Sequence, residues 1–384
     1  MAHNNTIFAQ MLKLVSRHEF ESLANWHHVG QKLRKMNRWS QFVALMLGQL
    51  SHRVSLRDIC NNLTVQSKKL YHLGCVNVSR SSLSRVNEQQ PYTLYEALFH
   101  KLLRQCRGKA PGHRFRFKNK LISLDASTID LCLSVFPWAD FRRSKGGIKL
   151  HVGLDHGGYL PSFVHVSEAS IHEVNIARCL DFTKGSIIVF DRGYVDYTWY
   201  KQLNNNGIFF VTRLKSNADY RVTDRRKVNK SQGLRSDQTI RLAGYYAQQN
   251  CDIPLRRIRY RDPLTGQSYE FLTNNFQLSA KTITEIYKAR WQIEIFFKWV
   301  KQNLKIKTFL GTSKNAVLTQ IWVAMCVYLL LAYIKFSSKL GISLQTMSRL
   351  LQLNLFERRP LFDIFNVKPS PTNPDICQLR LAGL

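Results

Sequence analysis

The segment Lys281–Leu304 constrains this chain most, because its side chains divide between two sides of one predicted helix. At about 100° per residue, four polar residues fall within an arc of roughly 60°: Tyr287, Arg290, Glu294 and Lys301. A neighbouring arc is entirely apolar and holds Ile286, Ala289, Ile293, Phe297, Val300 and Leu304. The pattern therefore predicts a helix that buries one side and presents a carboxylate among two cations and a phenol on the other.

Two more acids follow short apolar runs that are typical of buried strands. Asp125 follows Leu121–Leu124, and Asp191 follows the run Ser186–Phe190. Side chains at strand ends project from a rigid sheet edge, where the geometry of a site can be held. Three carboxylates can hold two Mg²⁺ ions about 4 Å apart, and such a pair activates a water or a 3′-hydroxyl for attack on a phosphodiester. We therefore expect Asp125, Asp191 and Glu294 to share one metal site.

Each of these acids also has a plain structural interpretation. Asp125, which Ala-Ser-Thr follows, can be a turn or cap residue, and Asp191 can begin a turn at Gly193. Glu294 can form a surface ion pair with Lys298, four residues further along the helix. The three acids together, with the helix pattern and the charge of the chain, favour the catalytic interpretation.

The charge of the chain indicates a polyanionic partner. Its 384 residues carry 56 Lys and Arg against 25 Asp and Glu, a net charge of +31. Nucleic acid is the commonest partner of so basic a protein, and an anionic membrane surface is the alternative. Residues 1–120 carry 20 of the basic and 5 of the acidic residues, so the N-terminal third is denser in positive charge.

Cysteine spacing and apolar segments favour a protein of the cytosol. The eight cysteines include no pair spaced as Cys-x2-Cys, and the N-terminal residues hold no apolar core of signal-peptide length. We therefore expect reduced thiols. The segment Ala316–Ile334 is near membrane-spanning length, but Thr319 and Gln320 interrupt it. A buried core helix is the expectation for this segment, without a membrane partner.

Local signals divide the chain into a helical and a mixed part. Asn37–Leu50 has apolar residues at helical spacing, Ser55 is a candidate N-cap for the next helix, and a further helix is expected near Ser81. Such helices fit a DNA-binding domain and also fit an ordinary bundle. Further on, Lys149–Asp155 and Leu160–Val166 predict two strands joined by a hairpin turn.

The helix pattern resembles the Tyr-x2-Arg-x3-Glu-x6-Lys signature of the DDE transposases of bacterial insertion sequences, in the insertion-sequence-four family. All four signature positions are matched, by Tyr287, Arg290, Glu294 and Lys301. The first acid of that family follows a short strand, as in LISLDAST here. The second lies in an Asp-x-Gly-Tyr/Phe context, which Asp191, Gly193 and Tyr194 match. The resemblance covers roughly residues 117–330.

The resemblance implies an α/β, RNase H-like fold, in which helices flank a mixed five-stranded sheet. A β-rich insertion would separate the last strand from the Glu294 helix, and an α-helical domain would precede the sheet. The chain is then expected to divide into a helical DNA-binding domain (1–103), a basic linker (104–120), the first part of the catalytic domain (121–214), the insertion (215–278), the remainder of the catalytic domain (279–335) and a helical or irregular tail (336–384).

The resemblance also implies the chemistry, which is DNA strand cleavage at the element ends and strand transfer into target DNA. Asp125, Asp191 and Glu294 would bind two Mg²⁺ ions, for which Mn²⁺ should substitute. Other residues of the same helix are expected beside the DNA: Tyr287, Arg290, Trp291, Lys298 and Lys301. The expected partner is double-stranded DNA, both the terminal inverted repeats and the target, bound by a homodimer at the nucleoid in the bacterial cytoplasm.

One departure and three alternatives accompany this interpretation. Family members that form hairpin DNA stack a flipped base on a Trp of the insertion, but this chain has no Trp between Trp199 and Trp291. Tyr245, Tyr246 or Tyr260 can offer an aromatic face instead. The alternatives are an RNase H-like nuclease without strand transfer, a DNA-binding protein without chemistry, and a peripheral membrane protein.

Overall fold

The N-terminal third of the chain is helical. The structure is a computed structural model that describes residues 5–142, 145–306, 308–338 and 341–366. Its first helices are α1 Ile7–Leu12, α2 Arg17–Trp26, α3 Arg38–Leu50, α4 Leu56–Val65, α5 Ser67–Leu70, α6 Arg80–Gln89 and α7 Thr93–Arg107. The side chain of Ser55 caps α4, as predicted, and that of Asn37 accepts a hydrogen bond at the start of α3 in the same way. The last turn of α7 extends into the basic segment 104–120.

Strands and further helices alternate after this segment. The strands are β1 Leu121–Leu131, β2 Asp140–Arg142, β3 Lys145–Asp155, β4 Leu160–Glu168, β5 Ile187–Val189, β6 Phe209–Arg213, β7 Tyr220–Arg226, β8 Leu234–Leu242, β9 Leu255–Arg261 and β10 Ser268–Thr273. The helices are α8 Glu173–Arg178, α9 Tyr197–Asn205, α10 Tyr245–Asn250, α11 Ala280–Ala289, α12 Trp291–Asn303, α13 Lys314–Ser338 and α14 Leu344–Asn354. The predicted tail lies outside the described residues from position 367 onward.

All the described strands belong to one mixed sheet in the order β2-β3-β1-β5-β6-β10-β9-β8-β7, with β4 also paired to β3. The strands β1, β5 and β6 run parallel to one another, whereas β3 pairs antiparallel with β1 and β4. The predicted hairpin of β3 and β4 is confirmed. The fold is therefore of the mixed α/β class.

The sheet is larger than the expected five strands. The strands of the segment 215–278 continue it, because β10 pairs antiparallel with β6, with Phe271 opposite Arg213. A bare edge at β6 would leave unpaired backbone groups, and β10 removes that edge. The strands of the segment 215–278 and those of the segment 121–214 consequently share one hydrogen-bonded framework.

The predicted helix Lys281–Leu304 is wrong in one respect, since it consists of two helices that meet at Arg290. The backbone of Arg290 keeps right-handed helical angles (φ −52°, ψ −33°), but its N–H bonds the carbonyl of Tyr287, three residues back. This tighter turn interrupts the regular ladder. Ser279 caps the first helix, α11, through a hydrogen bond from the N–H of Thr282.

The core is organised around α13, which is apolar on all sides. It is the one helix of the described residues with the length and hydropathy to cross a membrane, and 94% of that apolar stretch is buried within the protein. It packs against α3, α6, α7, α14 and β4. The ring of Trp322, 2% exposed, lies 5.2 Å from that of Phe99 on α7. The expectation of a buried core helix is therefore confirmed.

We expect Trp322→Ala to lower the free energy of unfolding by about 3–5 kcal/mol, because it leaves a cavity where α13 meets α7. The control is Leu353→Ala on α14, whose side chain is 85% exposed and should change stability by less than about 0.5 kcal/mol. Denaturant unfolding followed by circular dichroism measures both values. Equal effects of the two substitutions would contradict this core.

Candidate active site

Two of the three predicted acids lie side by side because β1 and β5 run parallel. The pairing register places Ser123 opposite Val189. Asp125 and Asp191 each lie two residues beyond this pair, so they occupy the same edge of the sheet and share side-chain parity. However, β1 does not end at Asp125 as predicted. Instead, β1 continues to Leu131 and stays paired with β3. Asp125 pairs with Val152 of β3 and lies beyond the last residue of β1 that pairs with β5.

Asp191 combines its position at the sheet edge with a local turn. Its Oδ1 accepts a hydrogen bond of 2.8 Å from the N–H of Gly193, within the 3₁₀ turn Arg192–Tyr194. A Cβ at residue 193 would lie 3.0 Å from the same oxygen, so the close approach favours glycine. The turn interpretation of Asp191 therefore holds together with the placement beside Asp125.

Glu294 reaches the same edge from α12, which packs over β1. The Arg290 guanidinium lies between two of the acids: Nη2 donates to Glu294 Oε1, and Nη1 lies 3.5 Å from Asp125 Oδ2. Glu294 is thus in an ion pair, as its plain interpretation proposed, but the partner is Arg290 and not Lys298. The residues Asp125, Arg290 and Glu294 form one contiguous charged group.

Burial is the largest influence on the pKa of Asp125. The side chain of Asp125 is 20% exposed, and burial raises the pKa of its carboxyl from 3.8 to about 6. Arg290 and the N–H of Ala126 lower that pKa, whereas the charges of Asp191 and Glu294 raise it further. Asp125 is therefore close enough to both Asp191 and Glu294 for their charges to disfavour its own, and a cation beside it is favourable.

The donor chemistry of the acids suits a hard divalent cation. Carboxylate oxygens are the ligands that Mg²⁺ prefers. The guanidinium of Arg290 now offsets the negative charges of Asp125 and Glu294. Within the described residues, no group of three acidic, histidine or cysteine side chains is already arranged to hold a metal ion. In this arrangement the contacts of Asp125 and Glu294 are with the Arg290 guanidinium.

The other predicted residues of the helix differ in their surroundings. The half-buried ring of Tyr287 lies 5.0 Å from that of Phe271, and Lys301 Nζ donates to the carbonyl of Thr128 on β1 at 2.9 Å. Trp291 is 59% exposed, and Lys298 is exposed as well. Tyr287 and Lys301 therefore have partners within the protein.

A cavity of about 280 Å³ adjoins Arg290. It is lined by Asp262, Tyr269, Phe271, Tyr287, Lys288, Arg290 and Trp291. Within it, Lys288 Nζ lies 2.7 Å from Asp262 Oδ2 and 5.0 Å from the ring centroid of Tyr260. No local sequence pattern predicts the contributions of Asp262, Tyr269 and Lys288. The first two depend on the pairing of β9 with β10, and Lys288 on the contact of α11 with Asp262.

None of the three tyrosines considered for base stacking lines this cavity. Tyr260 is buried, whereas Tyr245 and Tyr246 are 77% and 76% exposed. The latter two follow β8 at the end that points away from the edge with Asp125 and Asp191, because β8 runs antiparallel to β5. Among these three, only Tyr245 and Tyr246 have exposed faces.

We expect Asp125→Asn to stabilise the fold above pH 6, because it removes a buried charge and preserves the shape of the side chain. The folded-state pKa of Asp125 is about 6 and its ordinary value is 3.8. At a pH above both pKa values, the charge of Asp125 therefore lowers the free energy of unfolding by at most about 3 kcal/mol. The gain should shrink as the pH falls through 6, because the wild-type carboxyl is then protonated and neutral.

Denaturant unfolding of both proteins at pH 8 and pH 5 measures this difference. The matched control is Asp130→Asn, an exposed position on the same strand, which should give no such pH dependence. A gain from Asp125→Asn that is equal at both pH values would contradict the burial of this charge.

Sequence comparisons relate this chain to known transposases. Residues 116–330, more than half of the chain, match the model of a transposase DDE domain, and residues 3–76 match a domain of unknown function, DUF4372. A transposase from Sinorhizobium fredii is 34% identical over 241 residues, which cover 62% of this chain and 67% of the relative. A transposase for an insertion sequence element of Geobacillus stearothermophilus is 28% identical over 260 residues, 66% of this chain and 67% of the relative.

Among solved structures, the piggyBac transposase in its synaptic complex with hairpin DNA aligns with a TM-score of 0.48 and 12% identity, over 95% of this chain and 86% of that one.

The residues that match the transposase DDE domain, 116–330, include Asp125, Asp191 and Glu294, together with the whole Tyr287–Lys301 signature. The chain belongs to the DDE transposases of bacterial insertion sequences, enzymes that use divalent metal ions to cut DNA and to join it to a target.

Proposed function

We propose that Asp125, Asp191 and Glu294 are the catalytic carboxylates of this transposase and hold two Mg²⁺ ions, for which Mn²⁺ substitutes. The observation that carries the proposal is the convergence of two acids from parallel strands with a third from α12. When bound, the metal ions activate a water or a 3′-hydroxyl and stabilise the leaving oxygen of the phosphodiester. The carboxylates keep the ligand oxygens in place, since each lies on a packed strand, turn or helix.

Arg290 has two roles in this proposal. Without DNA, its guanidinium neutralises Asp125 and Glu294. With DNA, the same planar donor group turns to a backbone phosphate, for which its fork geometry is suited. Because Arg290 lies directly before α12 and beside the cavity of about 280 Å³, a short movement of its side chain connects the two positions.

The remaining DNA contacts follow the same helix. We assign phosphate contacts to Tyr287, Lys298 and Lys301, and packing against the DNA to the exposed ring of Trp291. The hydrogen bond from Lys301 to Thr128 supports a positioned cation at the edge of β1. Exposure of Trp291 and Lys298 supports their access to a bound duplex.

We infer that β4, β3, β1, β5 and β6 form an RNase H-like core of five strands. Their order and the parallel pairing of β1, β5 and β6 support this inference. The strands β7–β10 then belong to the insertion. On this division residues 1–103 bind DNA, 104–120 form a linker, 121–214 and 279–335 form the catalytic domain around the insertion 215–278, and 336–384 form the tail.

The substrate in this proposal is the double-stranded DNA of the element's terminal inverted repeats, followed by target DNA. Two ends must be cut and joined together, so we propose a homodimer in the DNA complex. The reaction is cut-and-paste transposition, in the bacterial cytoplasm at the nucleoid. The net charge of +31 supports a phosphate-dominated interface with steep salt dependence.

We expect Glu294→Gln to abolish metal-dependent cleavage of a labelled duplex that carries the flanks of the coding region, with a loss of at least about 100-fold. The neutral amide cannot provide the charge that a metal ligand requires. Glu285→Gln on α11 is the matched control, because Glu285 is exposed and it undergoes the same change of charge. Its activity should stay within a factor of about two of the wild type.

The assay compares Mg²⁺, Mn²⁺ and a chelator. Nicks at the flanks that need metal and disappear only in Glu294→Gln would support the proposal. Nicks without preference for the flanks would favour an RNase H-like nuclease. Cleavage that persists in Glu294→Gln would refute the assigned role of this carboxylate.

A further inference from the structure

One exposed helix face in the N-terminal third, on α6, has no role in the proposed active site. The ten residues of α6 divide cleanly around its axis, with Leu83, Val86 and Asn87 buried on one side. The first two turns expose only basic and hydroxyl side chains on the other side: Arg80, Ser81, Ser84 and Arg85. The single acid of the helix, Glu88, lies in its last turn.

Positive charge exceeds negative charge on this face, because Arg80 and Arg85 outnumber its one acid, the exposed Glu88. Three of the five acids in residues 1–120 are engaged elsewhere, by the ion pairs Glu19–Lys101, Glu21–Arg17 and Asp58–Arg53. In the described part of the chain, neither Arg80 nor Arg85 forms an ion pair. A surface with this surplus fits a polyanion.

A second feature next to the face points to phosphate. The start of α4 adjoins α6 around a cavity of about 380 Å³, lined by Val54, Ser55, Leu56, Arg57, Arg80, Ser84, Phe309 and Leu310. The backbone N–H groups at the start of a helix favour an anion, and Arg57 and Arg80 both line this cavity. The one acid in the first turn of α4, Asp58, pairs with Arg53. Phe309 and Leu310 follow α12, so the cavity also borders the catalytic half of the chain.

The face is held rigidly, as recognition of bases requires. The side-chain amide of Asn315, in the first turn of α13, donates to the carbonyls of Asn87 and Gln90 at 2.9 and 2.6 Å. An α-helix with its side chains is about 10–12 Å across, which suits a major groove about 12 Å wide.

We propose that α6 reads base edges in the major groove of the element-end duplex, while α4 and Arg57 contact the adjacent phosphates. Arg80 and Arg85 are then the specificity-determining residues, since arginine recognises guanine through O6 and N7, and Ser81 and Ser84 add hydroxyl contacts. This inference rests on the proposed function, because it requires a chain that recognises its own element ends.

The test measures binding in chelator, so that cleavage does not interfere. A fluorescent duplex from the flanks of the coding region and a scrambled duplex of equal composition are titrated with the full chain by anisotropy. Arg80→Gln and Arg85→Gln should each reduce the preference for the flank roughly 5- to 100-fold, and relax it at one or two adjacent base pairs. The matched control is Arg34→Gln, an exposed residue of the loop before α3.

Arg34→Gln makes the same change of charge. It should weaken binding to both duplexes equally, or leave both affinities unchanged. Circular dichroism melting verifies that all three variants are folded. Unchanged preference in Arg80→Gln and Arg85→Gln would overturn the assignment of α6, as would a loss of the same size in Arg34→Gln.

The two proposals fail in different assays. A wild-type chain that binds both duplexes equally overturns the inference about α6, whereas the metal-dependent cleavage assay alone decides the role of the carboxylates. A single-stranded flank that competes as well as the duplex would also overturn major-groove recognition.

Discussion

The burial of α13 is the constraint on which the rest of the structure depends. A helix that is apolar on every side must be covered on every side. The helices α3, α6 and α7 cover it from the N-terminal third, α14 from the C-terminal part and β4 from the sheet. The helix α13 therefore packs against the proposed DNA-reading helix α6 on one side and against the sheet, through β4, on another.

The active site opposes the stability of that core. Burial near Asp191 and Glu294 raises the pKa of Asp125 to about 6, so the folded chain maintains its charge at neutral pH against an electrostatic penalty. Arg290 offsets part of this penalty by its contacts with Asp125 and Glu294. A site that is unfavourable without a cation binds one more strongly, which is the property that metal-dependent chemistry needs.

Local patterns predicted the elements well but not their extents. The hairpin of β3 and β4, the helix α3 and the buried α13 follow from residue periodicity and caps. In contrast, the length of β1 depends on its pairing with β3, which begins more than 20 residues later, so Asp125 was placed at a strand end that does not exist. The ion pair of Arg290 with Glu294 is local, whereas the contact of Arg290 with Asp125 joins residues distant in sequence. The periodicity of the signature persists through the break at Arg290.

The segment 215–278 also holds a buried ion pair that reaches the start of α11. Arg256 on β9 and Asp237 on β8 meet through two hydrogen bonds of 2.9 and 2.6 Å, with both side chains almost fully buried. The remaining nitrogen of Arg256 donates to the carbonyls of Asn275 and Leu278, directly before the Ser279 cap of α11. Removal of one partner from such a pair leaves an uncompensated buried charge. The pair therefore fixes where α11 begins, and α11 in turn positions Arg290 and α12 over β1.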